Sequence, residues 1–258
     1  MINTTIVTAF FDIGRSSWDV GFRRTNSHYY SYFKNLCKLK NDIVVFTSED
    51  LIPYIKENTN KTNITYVPID FKSKWGTLIK TVSDIQSSDF FKSKISKSLL
   101  KFPEYSIPEY VVLTTRKVEL VNSAIESGFV KTKHVAWVDF GYVRGIETLN
   151  NLEYYNSPWD NDKVHMFTHQ NLEKVNHIDI QDAIFYGKVY LLGGSVIARS
   201  DIWQKLNEIY YKCFDNILKM GLADDDQGYF IASYVEQPDL FETHYIKDDW
   251  FPLFKFLL

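Results

Sequence analysis

Within its first 68 residues the chain alternates short apolar runs with stretches of helical character, and this alternation restricts the fold more than any other feature. The first run is Thr5-Ile-Val-Thr-Ala-Phe-Phe11, closed by Asp12 and Gly14. It is β-branched and aromatic with no polar alternation, the pattern of a parallel strand covered on both faces. A segment with Tyr29, Phe33, Leu36 and Cys37 at helical spacing follows. The second run, Asp42-Ile-Val-Val-Phe-Thr47, leads into Ser48 as an N-cap, with Glu49 and Asp50 in the next turn. The third is Ile64-Thr-Tyr-Val-Pro68. A β-α-β-α-β order predicts a parallel sheet with helices on its faces.

The stretch 71–106 is polar and rich in Lys and Ser, and reads as helical and exposed, a lid or an acceptor-side insertion. Tyr110 to Gly128 reads as one helix, with Val118, Val121, Ile125 and Phe129 on its stripe and Gly128 at the C-cap. His134-Val-Ala-Trp-Val-Asp139 is a strand ending in a carboxylate. Val164 to Phe167, Val189 to Leu192 and Ile197-Ala198 predict further strands. Ser200 caps a helix with Ile202, Leu206, Ile209, Cys213 and Ile217 on one face, and a last helix runs from near Asp224 through Tyr234. With neither repeat nor linker, the expectation is one α/β domain over 1–258 with a mixed central sheet.

With 29 basic and 32 acidic side chains the net charge is −3, which lacks the basic footprint of a nucleic-acid binder. Two cysteines, Cys37 and Cys213, both at apolar helical positions, suggest no disulfide framework and a reducing, cytoplasmic setting. The start, Met1 to Phe11, lacks a basic region and reads as a core strand rather than a leader. No segment approaches the ~20 apolar residues of a membrane span. The tail from Asp248 carries Trp250, Phe251, Leu253, Phe254 and Phe256. It is expected to dock on its own domain or on a second copy in a homo-oligomer. Peripheral membrane contact is the weaker alternative, because Lys247 and Lys255 face Asp248 and Asp249.

Ligands of open α/β sheets bind at the carboxyl ends of the parallel strands. Thr8, Phe10, Asp12, Arg15, Arg23 and Arg24 accompany the first strand, and the guanidinium fork suits a diphosphate. Arg116 is counted with them as a donor-binding residue; a solvated loop with local ion pairs is the plainer alternative for these arginines. Asp139, before Gly141, suits a metal–diphosphate site, against a turn-forming role. Gly193-Gly194-Ser195 offers backbone N–H groups to a sugar hydroxyl, or a simple turn. Asp224-Asp225-Asp226-Gln227 places three carboxylates at a helix start, where capping competes with a cation or sugar-binding role. His244, in Glu242-Thr-His-Tyr245, is a lone candidate ligand and equally a structural histidine.

Thr5 to Arg15, Trp137-Val-Asp-Phe-Gly141, Gly193-Gly194 and Asp225-Asp226-Gln227 together resemble the bacterial HtrL/YibB-like proteins, found among lipopolysaccharide and capsule biosynthesis genes. That resemblance implies a GT-A-like single domain with a Rossmann-like nucleotide-binding half (1–145) and an acceptor-binding half (146–258). It implies sugar transfer from a nucleotide-sugar donor to a glycan or lipid-linked acceptor, a precursor of lipopolysaccharide, O-antigen or capsule. It further implies a divalent metal, Mn²⁺ or Mg²⁺, held by a D-x-D triplet of which Asp139-Phe-Gly supplies one carboxylate. His244 is the counterpart, by position, of a C-terminal histidine that completes the metal shell. Asp225 or Asp226 is the acid facing the acceptor. A metal-dependent phosphoesterase and a non-catalytic scaffold of glycan assembly are the competing functions.

Overall fold

The computed structural model describes residues 3–59 and 61–256. In chain order they form β1 (Thr4–Phe10), α1 (Asn26–Leu36), β2 (Ile43–Thr47), α2 (Ile52–Glu57), β3 (Ile64–Pro68), α3 (Phe71–Ser87), α4 (Asp89–Lys94), α5 (Pro103–Ser106), α6 (Pro108–Thr115), α7 (Lys117–Glu126), β4 (His134–Val138), β5 (Val164–Thr168), α8 (His177–Tyr186), β6 (Leu191–Arg199), α9 (Ser200–Lys219), α10 (Asp226–Glu236) and β7 (Phe241–Tyr245). The described strands make one seven-stranded mixed sheet in the order β3-β2-β1-β4-β6-β5-β7. β3, β2, β1 and β4 run parallel, β6 is antiparallel to β4 and to β5, and β7 is parallel to β5. The chain is thus a single mixed α/β domain.

Every residue of β1, β2 and β4 is buried, so their sequences show apolar runs in place of alternation. The period of two persists beneath that uniformity. Val7, Val44, Val135 and Trp137 point to one core, with α3, α6, α7, α9 and α10. Ile6, Ile43, Val45 and Ala136 point to the other, with Phe33 and Leu36 of α1 and Ile55 of α2.

Three expectations need correction. The stretch 71–106 is helical, but it is no exposed lid: Phe71, Trp75, Val82, Phe91 and Tyr105 are buried. Their helical spacing was diluted by the Lys and Ser residues between them. The helix expected from Tyr110 breaks at Arg116, whose φ −86°, ψ 0° separates α6 from α7. Gly193 and Gly194 form no turn; they lie inside β6, beside an irregularity in the β5 register at Met166/Phe167. Glycines within strands mark such bulges and close approaches.

The tail folds back onto its own domain. Leu253 and Phe254 are wholly buried, and Phe254 packs edge-on against Tyr142 and Tyr155. The Leu253 backbone N–H donates to the Tyr142 hydroxyl at 3.0 Å. Each such side chain contributes about 1.5–3 kcal/mol, which holds the segment down. Leu257 and Leu258, also part of the tail expectation, lie outside the described residues. Cys37 and Cys213 are both free thiols. Among the described residues no helix is long and apolar enough to cross a membrane.

Candidate functional site

From β1 the chain winds outward to β3, then returns to lay β4 on the other side of β1. The crevice between β1 and β4 is therefore a topological switch point, where the loops above the carboxyl ends diverge and leave room for a ligand. A cleft of about 250 Å³ opens there. Phe10, Asp12, Arg15 and Arg24 line it from the β1 side, Asp139, Gly141 and Arg144 from the β4 side, and Tyr29, Tyr110 and Lys117 from the helices.

Local chemistry shapes the first loop. Asp12 accepts from the Gly14 backbone N–H and from the Asn26 amide, each at 2.9 Å, and so joins the turn to α1. Gly14 has φ 75°, a left-handed conformation that glycine adopts freely. The Arg15 guanidinium lies 5.1, 5.8 and 5.9 Å from the ring centres of Trp18, Tyr29 and Tyr110, and its Nε–H donates to the Phe22 carbonyl. Cation–π contacts of this kind hold a charge without neutralising it. Phe10 stacks on Phe140 at 4.8 Å.

Lys117 stands at the centre of the site. It is the first residue of α7, immediately after the break at Arg116, and is almost fully buried. Its ammonium meets Asp226 Oδ2 at 2.7 Å, the Gly193 carbonyl at 2.8 Å and Asp139 Oδ1 at 3.0 Å. Three acceptors match the three N–H donors of an ammonium. Burial alone would depress its pKa, yet the Asp139 and Asp226 carboxylates hold it above the ordinary lysine value. For Asp226 burial pushes the carboxyl up and Lys117 pulls it back. Gly193 is required by packing, since a Cβ there would overlap Asp226 Oδ2. Gly194 accepts from the Asp139 backbone N–H at 2.9 Å and lies against the Tyr142 ring.

Asp139 combines two engagements with one opening. Oδ1 also accepts from the Trp137 indole N–H at 2.8 Å, while the side chain remains 42% exposed and faces the cleft. Asp225 caps α10 by accepting from the Gln227 N–H at 3.0 Å and is half-buried. Burial raises its carboxyl pKa, and the Asp226 carboxylate raises it further. Asp224 is buried, and burial together with Asp225 raises it likewise.

Asp139, Asp12, Arg15, Arg24 and Phe10 converge on the cleft, with Asp226 beneath it through Lys117. Thr8 lies buried within β1 and its hydroxyl has no hydrogen-bond partner among the described residues. Arg23 is exposed, its Nε–H donating to the Trp18 carbonyl, and stands outside the cleft. Arg116 also fails to reach the cleft. Its guanidinium packs over Tyr211 and Phe214 at 4.5 and 4.4 Å and pairs with Glu119 at 3.5 Å. The glycine pair backs the carboxylates and does not line the opening. Lys117, Tyr29 and Arg144 belong to the site without having been singled out. The one available signal was a lysine three and four residues before Leu120 and Val121, on the buried stripe of its helix.

The expected pairing of Asp139 with His244 in one metal shell does not occur. His244 lies on β7, with β5 and β6 between it and β4, a separation of roughly 14 Å at ordinary strand spacing. There it groups with His165 and Glu242, whose ligand atoms all lie within 4.8 Å of one another. Burial and the neighbouring His244 push the His165 pKa down to about 3; burial also lowers that of His244. At Asp139 the donor set does not fit a divalent ion well. Its nearest acidic neighbour, Asp226, is tied to the same ammonium, and a second cation beside Lys117 would meet like-charge repulsion.

Over 261 aligned residues the chain is 36% identical to Protein HtrL of Escherichia coli (strain K12), covering 98% of this chain and 92% of that protein. Among solved structures, mouse xyloside xylosyltransferase 1 in its apo form aligns with 95% of this chain and 85% of its own, at 12% identity and a TM-score of 0.43. Residues 2–258 match the family described as "Bacterial protein of unknown function (HtrL_YibB)", and the chain belongs to that family.

Proposed function

We propose that this protein transfers a sugar from a nucleotide-sugar donor to a glycan acceptor, with the donor diphosphate in the β1/β4 cleft. The observation that carries this reading is the cleft itself: a switch-point crevice into which Arg15, Arg24 and Arg144 bring positive charge, beside Asp12, which is tied to its own loop, and Asp139, which is tied to Lys117. Departure of a nucleoside diphosphate concentrates negative charge at one place, and preorganised cations there lower the barrier. Phe10 and Tyr29 offer aromatic surface for a base or sugar ring. The cationic role that a metal fills in related chemistry falls here to Arg15, Arg24 and Arg144, since the Lys117 ammonium is engaged by two carboxylates and a carbonyl.

In an inverting reaction the acceptor oxygen attacks the anomeric carbon. The bond from that carbon to the phosphate oxygen breaks with its electron pair going to the diphosphate, and the acceptor proton passes to a carboxylate. Of the two candidate bases, Asp226 is committed to Lys117, which leaves Asp225 for that role. Burial and the Asp226 carboxylate raise its pKa, which makes the ionised group a stronger proton acceptor. The family resemblance extends the proposal to a cytoplasmic enzyme acting on a lipopolysaccharide, O-antigen or capsule precursor, glycan or lipid-linked.

A thermal-shift screen of nucleoside diphosphates and nucleotide sugars in EDTA tests this. Ligand at 100 times its Kd stabilises by about 2.7 kcal/mol, a readily visible shift. We expect stabilisation without added metal, and its loss in Arg144→Ala. Failure of every nucleotide to stabilise the wild type, with and without Mn²⁺, would remove the proposal.

A further inference from the structure

We infer that His165, Glu242 and His244 form a site for one zinc-type divalent cation that ties β5 to β7, separate from the cleft and independent of the function proposed above. The register places them. β5 and β7 pair in parallel with His165 opposite Glu242 and Phe167 opposite His244. Residues two apart share a face, so both histidines and the glutamate project from the same side of the sheet. His165 Nδ1 and His244 Nε2 are 3.1 Å apart. Two imidazole nitrogens on one tetrahedral zinc, each about 2.05 Å from it, stand about 3.3 Å from each other. The donors are already at ligand spacing.

Asn161 orients both kinds of ligand. Its Nδ2 donates to Glu242 Oε2 at 2.8 Å, and its Oδ1 lies 2.8 Å from His165 Nε2. A carboxylate only accepts, so the amide must face Glu242 and the amide oxygen must face the imidazole. That fixes the proton on His165 Nε2 and turns the Nδ1 lone pair toward His244. A ligand histidine whose second nitrogen donates to a fixed oxygen is the usual outer-shell arrangement of zinc sites. The Trp159 indole stacks on both imidazoles, at 4.5 Å and interplanar angles of 8° and 17°, and Phe256 lies 4.9 Å from the His244 ring. These contacts hold the rings in one orientation. Two nitrogens and one carboxylate oxygen suit zinc or cobalt; magnesium and calcium prefer all-oxygen shells.

The test uses the full chain without an affinity tag, stripped with a chelator and titrated with zinc chloride alone. One equivalent should bind in competition with a chromophoric indicator, and the Tm should rise by several degrees, about 5 °C. Cobalt should give the visible absorption of a tetrahedral N/O site. Glu242→Gln keeps an acceptor for Asn161 and so should fold, while binding zinc at least tenfold more weakly. His244→Gln should abolish the tight equivalent. Absence of a tight equivalent in the wild type overturns the assignment. So does an unchanged affinity in Glu242→Gln, which is decisive even if the histidine variant fails to fold.

Discussion

The Lys117 cluster at the β1/β4 crevice is charged and opens to the cleft through Asp139, whereas the His165 cluster near the β7 edge is uncharged on its imidazoles and is covered by Trp159. They stand on opposite faces of the sheet, one with Trp137 and α7, the other with Trp159 and Phe167. Each satisfies buried polar groups, by different means. The first sets an ammonium against two carboxylates and a carbonyl. The second strings two neutral imidazoles together with Asn161, which also donates to the Glu242 carboxylate. Removing one member of a buried ion pair strands an uncompensated charge, while removing a neutral member leaves an unmet hydrogen bond. The two clusters should therefore differ greatly in their tolerance of mutation.

Lys117→Met sharpens that difference most. It leaves Asp226 buried without its cation, and we expect a loss of about 3–5 kcal/mol by denaturant titration. The loss should grow with pH. Without Lys117 to oppose burial, the folded Asp226 carboxyl titrates well above its unfolded value. Between those two values the folded state holds a proton that the unfolded chain has released, so stability falls as pH rises. The variant should be more impaired at pH 8 than at pH 5; equal losses at both would show that Asp226 carries no buried charge. Next in size is Gly193→Ala, whose Cβ would overlap the Asp226 carboxylate and cost about 2–3 kcal/mol. An unperturbed melting curve there would mean that α10 moves freely against β6.

His165→Leu, measured without added metal, should cost no more than about 1–2 kcal/mol, because it deletes a neutral group and keeps the apolar stacking on Trp159. A loss as large as that of Lys117→Met would break the comparison. Arg15→Ala should alter stability least, by about 1 kcal/mol or less, since its charge is half-exposed over aromatic rings. It should still weaken nucleotide binding at least tenfold in the same thermal-shift assay.

Much of the first half of the chain was readable in the sequence because buried parallel strands write themselves as unbroken runs. Ile64–Pro68 was bounded correctly, and Asp139 was placed at a strand's end. The cleft's polar logic was less legible. Lys117 is an ordinary helix former at an ordinary helix start, and its partners are distant in sequence. Gly193-Gly194 imitates a turn because the local chain does not reveal that a carboxylate from α10 presses on it. His165 drew no notice, since Val164 to Phe167 reads as any buried strand and its partner strand lies far along the chain. Local pattern reports which face is covered; it does not report which side chain from elsewhere does the covering.

The contact between Lys117 and Asp226 joins residues 109 apart in sequence. Closing a loop of that length carries an entropic cost before any contact rewards it, so this junction is expected late in folding, after local helices and the strand pairs nearer in sequence. Energy gained after the transition state slows unfolding and leaves the folding rate nearly untouched. The ion pair beneath the cleft thus works as a latch on the assembled molecule, setting how long the native state persists while other parts of the chain set how quickly it is reached.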